Sequence, residues 1–238
     1  DEAKLEYISE IPGGRQLLLD LLENGNRIVI SEFEERFGIK RMLKATSKDF
    51  TFMASFLYYC GVLTMAGKTE AGELMLKTPN LVIQSLYVDT IREMLLPEPL
   101  KRDEGVNAAK KLYQKGDIKP VCDFIEQQYF KVFSNRDYIS ANELTVKPAF
   151  HTLLYNNILY IMDSESETGR GYADLTMIIR PDMRQYKISD VLLEFKFVHL
   201  NQANLTGEQA KKLSQKALES IPEMQTKMAE AEEQLARY

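Results

Sequence analysis

Three charged side chains stand in otherwise apolar surroundings between Gly171 and Val198: Asp174, Glu194 and Lys196. Asp174 falls near the start of one expected strand. Glu194 and Lys196 fall in the next, expected over Val191–Val198 (VLLEFKFV). Side chains alternate faces along a strand, so Glu194 and Lys196 share a face and Phe195 points to the other. A strand this apolar is expected to be buried on both faces. An ion in such a place is costly unless it is paired or binds a metal. An acid on one strand followed by Glu-x-Lys on the next is an arrangement for holding a divalent cation beside a phosphate. The competing account is a structural ion pair on an exposed edge strand, with Asp174 as a strand-start cap. The apolar flanks speak against an edge.

Other residues that can do chemistry are sparse. His151 sits on an expected helix among Phe150, Leu153 and Leu154, which reads as packing; His199 follows the Glu-x-Lys strand and can line a cleft or be incidental. Cys60 and Cys122 lie far apart in apolar contexts and read as reduced core residues of an intracellular, cytoplasmic protein. Their spacing with the histidines fits no zinc pattern. There is no Gly-Lys-Ser/Thr phosphate loop, so this chain is not expected to hydrolyse ATP itself.

The elements that must position these residues divide into two expected domains, 1–100 and 105–238. In the first, Arg15–Glu23 is a Leu-rich helix stopped by Asn24-Gly25, and Lys48–Cys60 is a helix closed by Gly61. Strands are expected at Val62–Met65 and Glu73–Lys77. Pro79-Asn80 opens a helix to about Leu96. Helix, hairpin, helix is the outline of a winged-helix-like module. Its 11 basic and 15 acidic residues, and the single basic residue of the helix before the hairpin, favour a packing role over DNA reading. Pro97-Glu98-Pro99 with the polar Lys101–Glu104 marks the boundary. Helices follow at Val106–Gln114, Lys119–Phe133 and Ala141–Tyr155, the last capped by Ser140. Then come a strand at Ile158–Met162, the polar hairpin DSESETGRG, the two strands above, and a charge-rich helical stretch, Gly207–Tyr238, broken at Pro222. The pattern is α/β (α+β).

Composition sets the outer bounds. With 45% hydrophobic and 27% charged residues the chain is ordinary for a globular protein. No apolar run approaches the roughly 20 residues of a membrane-spanning helix. A net charge of −5 argues against a globally basic nucleic-acid coat, but not against a local basic groove. The start DEAKLEY, with no signal peptide and no initiator Met, is what a fragment of a longer protein would show.

Asp174, preceded by Gly171-Tyr-Ala, with Leu-Leu-Glu194-Phe-Lys196 on the next strand, resembles the PD-(D/E)XK nuclease superfamily. The family's Pro-Asp is Ala173-Asp174 here. Gln234-Leu-Ala-Arg-Tyr238 is similar to the Gln-hydrophobic-x-x-Tyr motif of some branches. More narrowly, Phe56-Leu-Tyr-Tyr-Cys-Gly-Val-Leu-Thr64 and Lys77-Thr-Pro-Asn80 resemble stretches of AAA-ATPase-like proteins that carry such a nuclease domain after a winged-helix-like segment.

The resemblance implies a restriction-endonuclease-like αβββα(β) core and metal-dependent hydrolysis of nucleic-acid phosphodiesters, DNA in the first place. It implies Mg²⁺ or Mn²⁺ held by Asp174, Glu194 and the carbonyl of Phe195. Glu143 is a weaker extra ligand that helix-start electrostatics equally explain. Lys196 would orient or deprotonate the attacking water. Gln234 and Tyr238, four apart on a helix, would touch the substrate backbone or form a solvated face. Leu235, with Met228 and Ala231, offers that helix an apolar stripe for docking on the sheet. The implied partners are nucleic acid and an N-terminal ATPase domain outside this chain, with no membrane. The rival is a nuclease fold without activity that binds nucleic acid or protein.

Overall fold

The computed structural model describes residues 2–11, 13–35, 37, 49–129, 143–168, 171–210 and 212–237. Helix α1 (Glu2–Glu10) and α2 (Gly14–Glu23) lead into strand β1 (Arg27–Ile30). Helix α3 (Phe50–Tyr59) starts at Asp49, whose side chain accepts from the Phe52 N–H at 2.8 Å, a local N-cap. Strands β2 (Thr64–Lys68) and β3 (Leu74–Lys77) follow. Asn80 caps α4 (Leu81–Leu95) in the same way, accepting from the Ile83 N–H at 3.0 Å.

The first sheet has the antiparallel order β1-β3-β2. Its first strand, RIVI, is an element the sequence reading missed. Four residues are too few for a periodicity to show, and β1 forms because β3 supplies the ladder partners Leu74–Lys77.

The stretch expected as a polar break is helical. α5 runs Pro99–Lys115 with Pro99 in its first turn, and ends at Gly116 in the left-handed conformation (φ +68°). Proline suits a helix start, and Lys, Arg and Glu are good helix formers, so polarity alone did not mark a loop. Helix α6 (Lys119–Phe124) passes into a π-helical turn, Ile125–Tyr129. The remainder of the expected Lys119–Phe133 helix and the Ser140 cap lie outside the described residues.

Helix α7 (Glu143–Leu154) precedes the second sheet, β4 (Tyr160–Thr168), β5 (Gly171–Ile179) and β6 (Val191–Leu193), antiparallel in that order. The polar hairpin expected after Met162 carries the β4–β5 ladder on to the pair Thr168↔Gly171, so β4 runs past the expected strand end at Met162. On β5, Ala173, Leu175, Met177 and Ile179 are buried while Ile178 is exposed, the alternation a one-sided sheet requires. Short helices α8 (Gly207–Ala210) and α9 (Gln215–Glu219) lead to α10 (Pro222–Leu235), which starts at the expected break. Helix, three strands, then helix is the order expected, and the fold mixes helix and antiparallel sheet.

One cluster of buried side chains runs from Leu5 through Leu22, Leu57, Tyr87, Leu112 and Leu154 to Val191. α7 lies within it and packs against α2, α4 and α5. It also meets the second sheet, with the Phe150 and Phe195 rings 4.9 Å apart.

Three local expectations are corrected. The strand expected over Val191–Val198 is paired only to Leu193, and residues 192–198 are half-buried rather than buried on both faces. β6 is the outer member of the described sheet, so only one neighbour supplies ladder bonds and cover. The cysteines are unpaired as expected but not core residues: Cys60 is half-buried and Cys122 exposed. The stripe on α10 does not dock, since Met228 and Leu235 are exposed and the helix has no buried residue. Its few apolar side chains stand among the acids Glu230, Glu232 and Glu233, and offer little area to bury.

Candidate active site

The register of the second sheet decides where the acids lie. β5 pairs with β6 through Leu175↔Leu193 and Met177↔Val191. One step past the last paired residues come Asp174 on one strand and Glu194 on the other. There the ladder stops, and a side chain takes over: Asp174 Oδ2 accepts the Phe195 backbone N–H at 2.7 Å. The acid of β5 is thereby tied to the residue that separates Glu194 from Lys196.

Asp174 Oδ1 meets Lys147 Nζ at 2.6 Å, in a pair whose side chains are 14% and 18% exposed. Lys147 projects from α7, and the sequence reading did not single it out. The available signal was its place four residues after Glu143 and directly before the mostly apolar stretch Pro148–Leu154, where a helical lysine lays its stem along the core.

Glu194 is the most enclosed of the charged groups, with a side chain 4% exposed. Its Oε1 accepts from Lys196 Nζ at 2.7 Å, and Lys196 is 23% exposed. Its Oε2 is buried with no hydrogen-bond partner among the described residues. Such an atom is costly in a folded protein unless something else satisfies it.

Behind Asp174 lies a small cavity of water-like size lined by Leu22, Lys147, Pro148, His151, Asp174, Leu175 and Phe195. His151 is buried, and neither ring nitrogen has a hydrogen-bond partner among the described residues. Burial, assisted by the Arg92 charge, pushes its pKa down to about 4. It is a packed neutral imidazole, as its apolar neighbours foretold. His199 is exposed, with its ring edge-on to Phe197 at 4.7 Å.

The remaining candidates are Glu143, Gln234 and Tyr238. α7 opens at Glu143, but the Glu143 side chain lies outside the described residues, as does Tyr238. Gln234 stands in the last turn of α10, with a buried amide oxygen that has no hydrogen-bond partner among the described residues. Among the described residues no group of three or more His, Cys, Asp and Glu side chains is gathered as a metal cluster.

Residues 141–237 match the family model of the PD-(D/E)XK nuclease superfamily. That superfamily comprises nucleases, in general metal-dependent ones, and the matched segment contains every expected site residue except Tyr238. It begins at the approach to α7, so α1 to α6 lie outside it. No curated protein matches the chain. No solved structure matches it either. No helix is long and apolar enough to cross a membrane, among the described residues.

Proposed function

We propose that the chain is a metal-dependent nuclease that hydrolyses phosphodiester bonds of DNA, with Asp174, Glu194 and Lys196 at its centre. The observation that carries this is the buried, unpartnered Oε2 of Glu194 beside a lysine and next to the residue that holds Asp174. Hard divalent cations take carboxylate oxygens, so this donor set fits Mg²⁺ or Mn²⁺. Asp174, Glu194 and the Phe195 carbonyl would hold the ion, with Glu143 as a further oxygen donor. Bound there, the cation would offset the charge that builds on the phosphoryl and leaving oxygens during in-line attack by water.

The protein's own part is positioning and proton handling. Lys196 lies 2.7 Å from Glu194 and is exposed enough to meet solvent, so it can orient or deprotonate the attacking water and shield the phosphate charge. Gln234 and Tyr238 would touch the substrate backbone. The N-terminal sheet order β1-β3-β2, with α2 before β1 and α3 before the hairpin, supports a winged-helix-like packing module. The same resemblance implies an ATPase domain before it in a longer protein.

A second reading has an observation of its own. Each acid already has a lysine partner, Lys147 for Asp174 and Lys196 for Glu194, and β6 is the outer described strand. Two structural ion pairs in a nuclease fold without activity would look the same. Cleavage of single- and double-stranded DNA and RNA, with Mg²⁺, with Mn²⁺ and with chelator, separates the two. The nuclease reading expects metal-dependent cleavage that Asp174→Asn abolishes. No cleavage on any substrate would favour the inactive module, and cleavage that survives that substitution would mean that Asp174 is not at the active centre or that another nuclease is present.

A further inference from the structure

The helix that reaches Asp174 is anchored at its other end by residues outside the nuclease-like segment. The last carbonyls of a helix have no intrahelical donor. In α7 two of them, those of Thr152 and Leu154, are taken by side chains of α4 and α5. Arg92 donates to the Thr152 carbonyl through Nε at 3.1 Å and Nη2 at 2.8 Å, and Nη2 also reaches the Tyr155 carbonyl at 3.3 Å. The Tyr113 hydroxyl donates to the Leu154 carbonyl at 2.8 Å. Nη1 of Arg92 is itself held by Asp89 at 2.7 Å. A guanidinium here also complements the negative end of the helix dipole. Just past the helix, the hydroxyls of Tyr155 and Ser85 lie 3.3 Å apart, and Asn157 donates to Ser85 at 2.6 Å.

The near end of α7 depends on this anchorage. Pro148 has no N–H, so one internal hydrogen bond is missing right beside Lys147. Thr152 follows Lys147 by five residues, about 7.5 Å along the axis. A tilt at Thr152 therefore carries directly to the Lys147–Asp174 contact, whose 2.6 Å separation tolerates little displacement. Leu22 of α2 closes the cavity behind the same pair.

We propose that Arg92 is a positioning residue for the candidate metal site: acting through α7, it sets the Lys147–Asp174 contact, so the N-terminal helices tune cation affinity from outside the matched segment. The proposal rests on the metal-dependent reading above. Arg92 touches neither acid, and its effect runs through Lys147.

The test is Mn²⁺ calorimetry on the 238-residue chain, with thermal melting of each variant. Arg92→Met is expected to weaken Mn²⁺ binding about tenfold, the scale at which residues behind a metal ligand act. Arg92→Lys keeps the charge but not the fork, and is expected to fall between the two. In a Lys147→Met background, Arg92→Met is expected to add less than about twofold, because the shared route is already cut. Unchanged or tighter Mn²⁺ binding by Arg92→Met, even with a lowered melting point, would reduce Arg92 to a structural strut and overturn the proposal. So would a full-sized effect in the Lys147→Met background. If Arg92→Met does not fold, Arg92→Lys is read by the same criteria. Failure of the nuclease reading looks different: wild-type protein then binds no Mn²⁺, or binds it as well with Asp174→Asn, and both ideas fall together.

Discussion

Asp174 and Phe195 are joined by a hydrogen bond from the Phe195 backbone N–H to the Asp174 carboxylate, 2.7 Å long. A side chain here continues the pairing of β5 with the chain beyond β6. It fixes the aspartate relative to Glu194 and Lys196 without a fourth element. The other carboxylate oxygen is held by Lys147, so the orientation of Asp174 is set at both oxygens.

Asp174→Asn keeps one acceptor oxygen and loses the charge. Divalent-cation binding and cleavage are expected to disappear, while Lys147 loses this counter-charge in a mostly enclosed site. That second effect should cost about 1–3 kcal/mol of stability. Calorimetry with Mn²⁺ and a denaturant titration report the two losses separately. Retained cation binding in the variant would mean that Asp174 is not a ligand.

Lys196→Ala is expected to abolish cleavage and leave cation binding largely intact, because an ammonium offers no ligand oxygen. It also strips Glu194 of its hydrogen-bond donor, leaving a buried carboxylate at a cost of about 3–5 kcal/mol. Mg²⁺ should restore part of that loss by mass action. Melting temperatures with and without Mg²⁺ check this. A variant that cleaves normally would remove Lys196 from the chemistry.

Stability should rise with pH across the range in which His151 differs between folded and unfolded chains. Its folded pKa is about 4, against an ordinary value near 6.5, so the unfolded chain binds the extra proton first. The contribution is complete above about pH 6.5, falls as pH drops, and is gone below about pH 4. Its full size is about 3 kcal/mol. Urea midpoints from pH 5 to 6.5 should fall less steeply with acid in His151→Leu than in wild type. Parallel curves would show that His151 is not the group responsible.

Gly14→Ala should destabilise the chain severely. A Cβ at that position would lie 1.8 Å from the Ile8 carbonyl oxygen, where α1 and α2 approach, and backbone cannot swing aside as a side chain can. A cost of about 3 kcal/mol corresponds to a fall of roughly 6–12 °C in Tm. A melting curve within 2 °C of wild type, on the order of the smallest shift a single kcal/mol produces, would show that the two helices can part cheaply.

The sequence was most informative where the rule at work is local. Asn80 opens α4 because its side chain reaches an N–H three residues on. Pro222 stands at the start of α10 because a helix start needs no N–H from that residue. The acids and the lysine could be picked out because a charge in an apolar strand is conspicuous without knowledge of the fold. The even spacing of Glu194 and Lys196 follows from the two-residue repeat alone.

What lay beyond the sequence is what depends on neighbours distant along the chain. β1 exists because β3 lies beside it, and the polar end of β4 stays extended because β5 supplies partners. Nothing in VLLEFKFV shows that pairing ends at Leu193, since that depends on whether a further strand lies alongside. The partners of the acids divide the same way. Glu194 and Lys196 are two residues apart, so their pairing is a matter of local geometry. Lys147 comes to Asp174, and Arg92 to Thr152, only because α7 is packed among α2, α4, α5 and the second sheet. Residue types and short-range spacing nominate a site. Long-range packing decides which charges meet there, because the hydrophobic burial that brings the elements together is indifferent to the polar groups it carries with it.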